Sequence, residues 1–183
     1  MIHMIEVELK YRVYNYRDIL NRLKDIGAEY IGKEYEVDYY LQHPCRDFKL
    51  SDEALRIRVS DSGYFITYKG PRISDRAKTR YEIESKVNDY NLFLELFNRL
   101  GFEIYAVIRK NRRIYKYGEI KISLDYVEGL GDFIEVELHA RDESHAREVE
   151  DTLREFITRL DIDPDKKILK SYLELYLEKH HLQ

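Results

Sequence analysis

Apolar and acidic residues alternate without a break through Ile5-Glu6-Val7-Glu8-Leu9 and again through Ile134-Glu135-Val136-Glu137-Leu138, with a shorter relative at Tyr81-Glu82-Ile83-Glu84. A period of two describes a strand with one apolar and one charged face. Extended segments are predicted at 4–14, 34–42, 53–60, 63–70, 78–87, 104–109, 112–117, 119–127 and 132–140, with tight connections at Ser60-Asp61-Ser62-Gly63, Tyr117-Gly118 and Gly129-Leu130-Gly131. Elsewhere the period lengthens to that of a helix. Residues 16–26 align Ile19, Leu20, Leu23 and Ile26, and residues 90–100 align Leu92, Phe93, Leu96, Phe97 and Leu100. Residues 144–160 align Ala146, Val149, Leu153, Phe156, Ile157 and Leu160. Asp163-Pro164 then opens a last helix with Ile168, Leu169, Tyr172, Leu173 and Tyr176. Asn15 and either Asn88 or Asp89 are the expected caps, and Gly27 and Gly101 the stops. Strand followed by helix recurs at 5–27, 81–101 and 133–160, which suggests two related halves within a single domain, 1–183.

The charged faces decide the architecture. Read alternately they carry Glu6, Glu8 and Lys10; Arg56 and Arg58; Thr67 and Lys69; Lys78, Arg80, Glu82, Glu84 and Lys86; Lys110 and Arg112; Lys121, Ser123 and Asp125; Glu135, Glu137 and His139. One reading turns each of these faces to water. The other starts from the helical stripes, which must cover something, and the apolar strand faces are the available surface. Helices outside then force the ionic faces toward one another, around an interior that eight closed strands make wide enough for a ligand. A dry interior of that kind is very unfavourable, so the lumen is expected to be wet. Arg109 and Arg113 fall on the outer face in this register, and a one-residue slip would exchange them with Lys110 and Arg112.

Composition narrows the function. The chain has 31 Lys and Arg against 35 Asp and Glu, a net charge of −4, which gives no support for a general nucleic-acid surface. Cys45 is the sole cysteine, so an intramolecular disulfide is impossible. No apolar run approaches the roughly 18 residues needed to span a bilayer. The N-terminus opens directly on a strand pattern without a signal peptide, and the expectation is a cytoplasmic protein with no membrane and no nucleic-acid partner. Lysine and arginine inside suit a polyanion, and glutamate and aspartate suit a hard cation.

Here the residues resemble a known family. Glu6-x-Glu8-x-Lys10, Ala54-Leu55-Arg56-Ile57-Arg58, Thr67-Tyr68-Lys69-Gly70-Pro71, Lys78-x-Arg80-x-Glu82-x-Glu84, Lys110-x-Arg112, Leu124-Asp125-Tyr126-Val127-Glu128-Gly129-Leu130-Gly131 and Phe133-Ile134-Glu135-Val136-Glu137 follow in order the pattern of the CYTH superfamily, the triphosphate tunnel metalloenzymes. His43-Pro44-x-Arg46-Asp47-Phe48 followed by Asp52-Glu53-Ala54-Leu55-Arg56 looks like the class IV adenylyl cyclase subgroup, whose tunnel thiamine and inorganic triphosphatases share. The resemblance implies an α+β fold: a closed eight-stranded antiparallel β-barrel, the triphosphate tunnel, with helices packed outside. Residues 1–140 would hold the tunnel strands and first helices, and 144–178 the C-terminal helices.

The resemblance also implies roles. Glu6, Glu8, Glu135 and Glu137, completed or supported by Glu82 and Glu84, would hold Mg2+ or Mn2+. Lys10, Arg56, Arg58, Lys69, Lys78, Arg80, Lys110 and Arg112 would bind the triphosphate of ATP, thiamine triphosphate or inorganic triphosphate, with Lys10, Arg58, Lys78 and Asp125 at the chemical step. Asp125 reads equally as a supporting acid and as a salt-bridge partner of a lumen cation. Tyr39, Tyr40 and Tyr68 read as wall packing rather than a base-stacking platform, and His43 and His139 as wall or loop residues. Loops 43–52 and 71–77 are expected at the tunnel mouth, and the last apolar helix would support a homodimer. Cyclase and hydrolase outcomes both stay open.

Overall fold

A computed structural model of the chain describes residues 5–74 and 79–180, with the backbone alone at 72–74, 79, 80 and 143. In chain order the elements are β1 (Ile5–Arg12), α1 (Tyr16–Asp25), β2 (Glu29–Gln42), β3 (Ala54–Ser60), β4 (Gly63–Ser74), β5 (Thr79–Val87), α2 (Tyr90–Arg99), β6 (Glu103–Tyr117), β7 (Ile120–Val127), β8 (Gly131–Ala140), α3 (Glu143–Arg159), a 3-10 turn (Pro164–Lys166) and α4 (Tyr172–Lys179). The nine expected extended segments become eight strands because 104–109 and 112–117 are one continuous strand, β6. Strand β2 begins five residues earlier than the alternation of 34–42 suggested.

The strands form one antiparallel sheet in the order β1-β8-β7-β6-β2-β3-β4-β5. Replace each strand by the one four places away and the order reads backwards, unchanged. The chain therefore consists of two β-α-β-β-β halves, β1 to β4 and β5 to β8, with α3 and α4 added. The strand-helix pairs at 5–27 and 81–101 open the two halves, whereas 133–160 joins the end of the second half to α3. The two copies of the pentapeptide are neighbours: Glu8 faces Glu137, Leu9 faces Val136 and Lys10 faces Glu135.

The sheet curls until the backbones of its two edge strands, β1 and β5, approach within 8 Å. Among the described residues no ladder joins them. The expected closed barrel is thus met in part: eight antiparallel strands, curled into a trough with helices outside, and a seam between β1 and β5.

Burial follows the alternation. Val7, Leu9, Ile122, Leu124, Ile134 and Val136 on the outer face are buried under Leu23 of α1 and Leu153, Ile157 and Leu160 of α3. A fully buried aliphatic side chain of this size is worth about 1.5–3 kcal/mol, so this contact anchors β1, β7 and β8 firmly. Two helices start where their expected caps place them, Asn15 accepting from the Asp18 amide and Asp89 from Asn91 and Leu92, and α3 starts at a cap that was not expected, Asp142, which accepts from His145. Gly27 and Gly101 close α1 and α2 with φ of +78° and +89°, where a side chain would be strained. Helix α2 departs from its expected stripe. It packs Phe93, Leu94 and Phe97 against Leu41, Phe48, Leu55 and Ile57 and leaves Leu92, Leu96 and Leu100 exposed.

The C-terminus corrects the expectation of one helix opening at Asp163. Asp163 caps only the short turn at Pro164–Lys166. The chain then runs extended, with the Ile168 amide donating to the Lys10 carbonyl at 2.7 Å, and α4 starts afresh at a Ser171–Glu174 capping box. Tyr172, Leu173 and Leu177 of α4 are buried against Tyr40, Ala106, Ile108 and Phe133 of the same chain. The helix face expected to support a dimer is therefore engaged within the chain. No helix among the described residues is long and apolar enough to cross a membrane.

Candidate functional site

The trough encloses a cavity of about 830 Å3 whose lining includes Glu6, Glu8, Lys10, Arg56, Arg58, Lys69, Glu82, Glu84, Lys110, Arg112, Glu135 and Glu137. The inward reading of the charged faces holds for these residues and for Lys121, whereas Asp125 lies fully buried behind Arg112, and Lys86 and His139 are exposed outside this lining. Lys78, and the side chain of Arg80, lie outside the described residues. The register is the expected one: Lys110 and Arg112 are buried, and Arg109 and Arg113 are exposed.

Along one side of the cavity runs a buried ionic network. Arg58 binds Asp38 through Nε and a terminal nitrogen at 2.7 and 2.8 Å, and reaches Glu36 at 3.0 Å. Lys110 reaches Glu36 at 3.0 Å. Arg112 binds both oxygens of Asp125, at 2.7 and 2.6 Å, and Glu135 at 2.5 Å, while Lys10 meets Glu135 at 2.9 Å. Burial alone would raise the pKa of Glu36, but Lys110, Arg112 and Arg58 outweigh it and bring it down to about 2. Asp38 is likewise held low against burial by Arg58 and Arg56. Lys110 is pulled down by its burial and by Arg112 and Arg58, despite Asp125 and Glu36.

Glu36 and Asp38 were not among the expected site residues. Their signal was present: Glu34-x-Glu36-x-Asp38-x-Tyr40 alternates like the other strands, but this strand's inner face was not read. Two expected roles also look different in place. Glu135, expected at a metal, is held between Lys10 and Arg112. Asp125 is bound by Arg112 and receives the Tyr172 hydroxyl at 2.9 Å, which is the salt-bridge reading. Tyr172 itself comes from the unforeseen α4, and its ring lies 3.6 Å from the Lys10 ammonium and 5.3 Å from that of Lys110.

Along the seam the charges are arranged otherwise. Glu137 pairs with Lys121 at 2.7 Å and Glu82 with Lys69 at 2.6 Å. Glu84 accepts from Thr67 at 2.9 Å and lies 3.8 Å from Arg56. Burial first, then Glu137, Glu8 and Glu82, push the pKa of Glu6 up to about 7, with Lys69 opposing. Directly opposed like charges such as Glu8 and Glu137 destabilise a sheet. Among the described residues no three acidic, histidine or cysteine side chains already converge as a ligand set. The donors are nevertheless of the right kind, since carboxylate oxygens without sulfur or imidazole suit Mg2+ or Mn2+, and a cation there would relieve the repulsion on Glu6. On the anion side, the buried Nε of Arg56 has no hydrogen-bond acceptor among the described residues.

Comparison with known proteins agrees with this geometry. The CYTH domain family profile matches residues 4–172. A Methanocaldococcus jannaschii protein named "Putative adenylate cyclase" is 43% identical over 172 residues, covering 94% of this chain and 98% of its own. Adenylate cyclase CyaB of Aeromonas hydrophila is 27% identical, covering 93% and 87%. A solved structure from Pyrococcus horikoshii OT3 superimposes with a TM-score of 0.88 at 40% identity, covering 95% of this chain and 99% of the other.

Proposed function

The chain belongs to the CYTH domain family, and from that membership we propose that it is a divalent-cation-dependent enzyme acting on a triphosphate, converting ATP to cyclic AMP and pyrophosphate. The observation that carries this reading is the pairing of a wall rich in buried arginine and lysine with a group of carboxylates in which burial, and then Glu137, Glu8 and Glu82, raise the pKa of Glu6 to about 7. A triphosphate with its cation presents the complementary pair of charges. The names of the two curated relatives support the cyclase form.

Arg56, Arg58, Lys110 and Arg112 bind and align the phosphates, the arginines through their planar forks. Lys10, fixed between Glu135 and the Tyr172 ring, offsets charge that develops on the displaced phosphate oxygen. Glu6, Glu8, Glu82 and Glu137 would hold the cation, which when bound supplies neutralisation of phosphate charge and activation of the attacking oxygen. The 3′-hydroxyl attacks the α-phosphorus, its proton leaves to a nearby base, and pyrophosphate departs. Countercharge on the acidic faces of β1 and β5 also removes what holds the seam apart, so closure of the trough into a full tunnel accompanies ligand binding.

A second reading is hydrolysis of the terminal phosphate of inorganic, thiamine or nucleoside triphosphate. It is favoured by the partial solvent exposure of Lys69 and Glu82 inside the cavity, 27% and 31%, which lets water reach the same wall. ATP, inorganic triphosphate and thiamine triphosphate incubated with Mg2+ or Mn2+ separate the two. Cyclic AMP with pyrophosphate supports the first reading and orthophosphate the second. No turnover of any of the three with either ion defeats both.

A further inference from the structure

The internal repeat divides the sheet into two sides, β1-β8-β7-β6 behind α1 and β5-β4-β3-β2 behind α2. The two sides are not finished alike. On the first, α3 follows β8 and lies across β8 and β1. Val7, between Glu6 and Glu8, is fully buried there, and so are Ile19 and Leu23 of α1. On the second, β4 turns back into β5 across residues 75–78, and no helix among the described residues takes the place of α3. Ile83, between Glu82 and Glu84, is 53% exposed, against 0% for Val7. No residue of α2 is fully buried.

The sequence of α2 does not suit that exposure. Asn15 to Gly27 and Asp89 to Gly101 span the same interval, so the two helices correspond residue for residue, Tyr16 with Tyr90. Leu92, Leu96 and Leu100 then correspond to Asp18, Arg22 and Ile26. Arg22 reaches Asp161, just past α3, at 2.7 Å, so this flank of the first helix faces α3. Charge therefore stands on the flank that has a neighbour, and leucine on the flank that has none. The three leucines are four residues apart and form one row. With Tyr81 and Ile83 on the outer face of β5, each leaves about half of its surface in water. Five such side chains present on the order of 500 Å2 of apolar surface, the size that marks an interaction site on a single protein.

We propose that this face is covered by a second copy of the same chain, in a two-fold dimer whose axis passes beside Leu96. The row reads the same from either end about Leu96. An antiparallel pairing sets Leu96 against Leu96 of the partner subunit and Leu92 against Leu100 of the partner subunit, an isologous contact that uses one surface twice. Ridges spaced by four residues interdigitate with like ridges at a crossing angle of about −50°, the commonest contact between helices. The face also tolerates its own copy electrostatically. From Tyr90 to Phe102 its ionic groups are Glu95 and Arg99, which already pair within the helix at 2.7 Å. Two copies would withdraw on the order of 1,000 Å2 from water through these side chains alone, and a polar rim brings the total to the roughly 1,200–2,000 Å2 of a stable interface. The second copy does for β5 what α3 does for β1, and it leaves the cavity, on the opposite face of the sheet, open. The inference stands apart from the triphosphate reading.

Sedimentation equilibrium of the full chain is expected to give about 44 kDa, twice the 22.2 kDa of one chain. In Leu96→Glu two carboxylates meet at the axis, and association is expected to weaken on the order of a hundredfold. Its circular dichroism should match the parent, because Leu96 is exposed in the single chain. A second measurement does not depend on that variant. In Cys45→Ser, which removes the sole native thiol, Leu96→Cys is expected to form an intermolecular disulfide on mild oxidation. Tyr14→Cys, at a more exposed position ahead of α1, is expected not to. A parent protein that keeps the mass of one chain up to about 100 μM, where even weak dimers form, overturns the proposal and leaves the face to a different protein. A dimer that persists in Leu96→Glu overturns this face as the interface. So does a Leu96→Cys that fails to cross-link, or that cross-links no faster than Tyr14→Cys.

Discussion

Glu6 and Glu36 lie on the same inner wall, both withdrawn from solvent, and burial pushes both in the same direction. They finish far apart. Glu36, with Lys110, Arg112 and Arg58 around it, falls to about 2, whereas Glu6, with Glu137, Glu8 and Glu82 around it, rises to about 7. Burial raises both, and the neighbours decide the difference between them. The two halves of the charged interior have different standing. One compensates its own charges and forms part of the framework. The other brings like charges together around Glu6.

The largest effect should come from breaking the compensated half. Arg112→Met leaves Asp125, Glu135 and Glu36 buried without their guanidinium, and removing one partner from a buried pair typically costs about 3–5 kcal/mol. The urea midpoint should fall accordingly, and an unchanged midpoint would mean that the wall is wet enough to do without it. Next, Glu6→Gln should have the opposite sign in the cation-free protein. A folded pKa near 7 against an unfolded value near 4.5 makes the ionised side chain a burden that is complete above pH 7, eases as pH falls, and is absent below 4.5. The substitution should raise stability at pH 8 by roughly 3 kcal/mol and by almost nothing near pH 4.5, read from denaturant curves in EDTA. A gain that did not depend on pH would separate Glu6 from its acidic neighbours.

Cation addition sharpens the same contrast. Mn2+ or Mg2+ at a hundred times its dissociation constant should stabilise the parent protein by about 2.7 kcal/mol, visible as a raised melting temperature. A Glu6→Gln, Glu137→Gln double variant should lose that shift, while Glu36→Gln, though less stable, should keep it. Smaller still, Tyr172→Phe removes the hydroxyl that donates to Asp125 but leaves the ring against Lys10, and should cost about 1 kcal/mol. An exposed pair such as Arg99 with Glu95 serves as the control, and Glu95→Ala should leave the midpoint where it was.

Much of this was legible in the sequence because alternation survives folding. Strands that carried charge on every second residue put most of that face inside, and Asn15 and Asp89 capped the helices they precede. Three features were less legible, each for a physical reason. Glu36 and Asp38 declare their face by alternation, but only the pairing of β2 with both β3 and β6 shows how many cations they meet. Glu135 and Glu137 are identical in sequence context and differ by one step along β8, yet one faces Lys10 and the other Glu8. No local pattern distinguishes them. The place of α4 depends on the backbone bond from Ile168 to Lys10, a contact between the two ends of the chain that periodicity cannot report.

The edges of the sheet carry a last consequence. A strand edge can pair with a strand from another molecule, and among the described residues no ladder joins the two edges of this sheet. In this protein the edges turn toward each other, and each bears inward acidic residues, Glu6 and Glu8 on one and Glu82 and Glu84 on the other. The same carboxylates that await a cation thus also act as gatekeepers against aggregation. Self-association should therefore set in when they are protonated without a ligand in place, and the resistance of this fold to fibre formation is tied to the charge state of its seam.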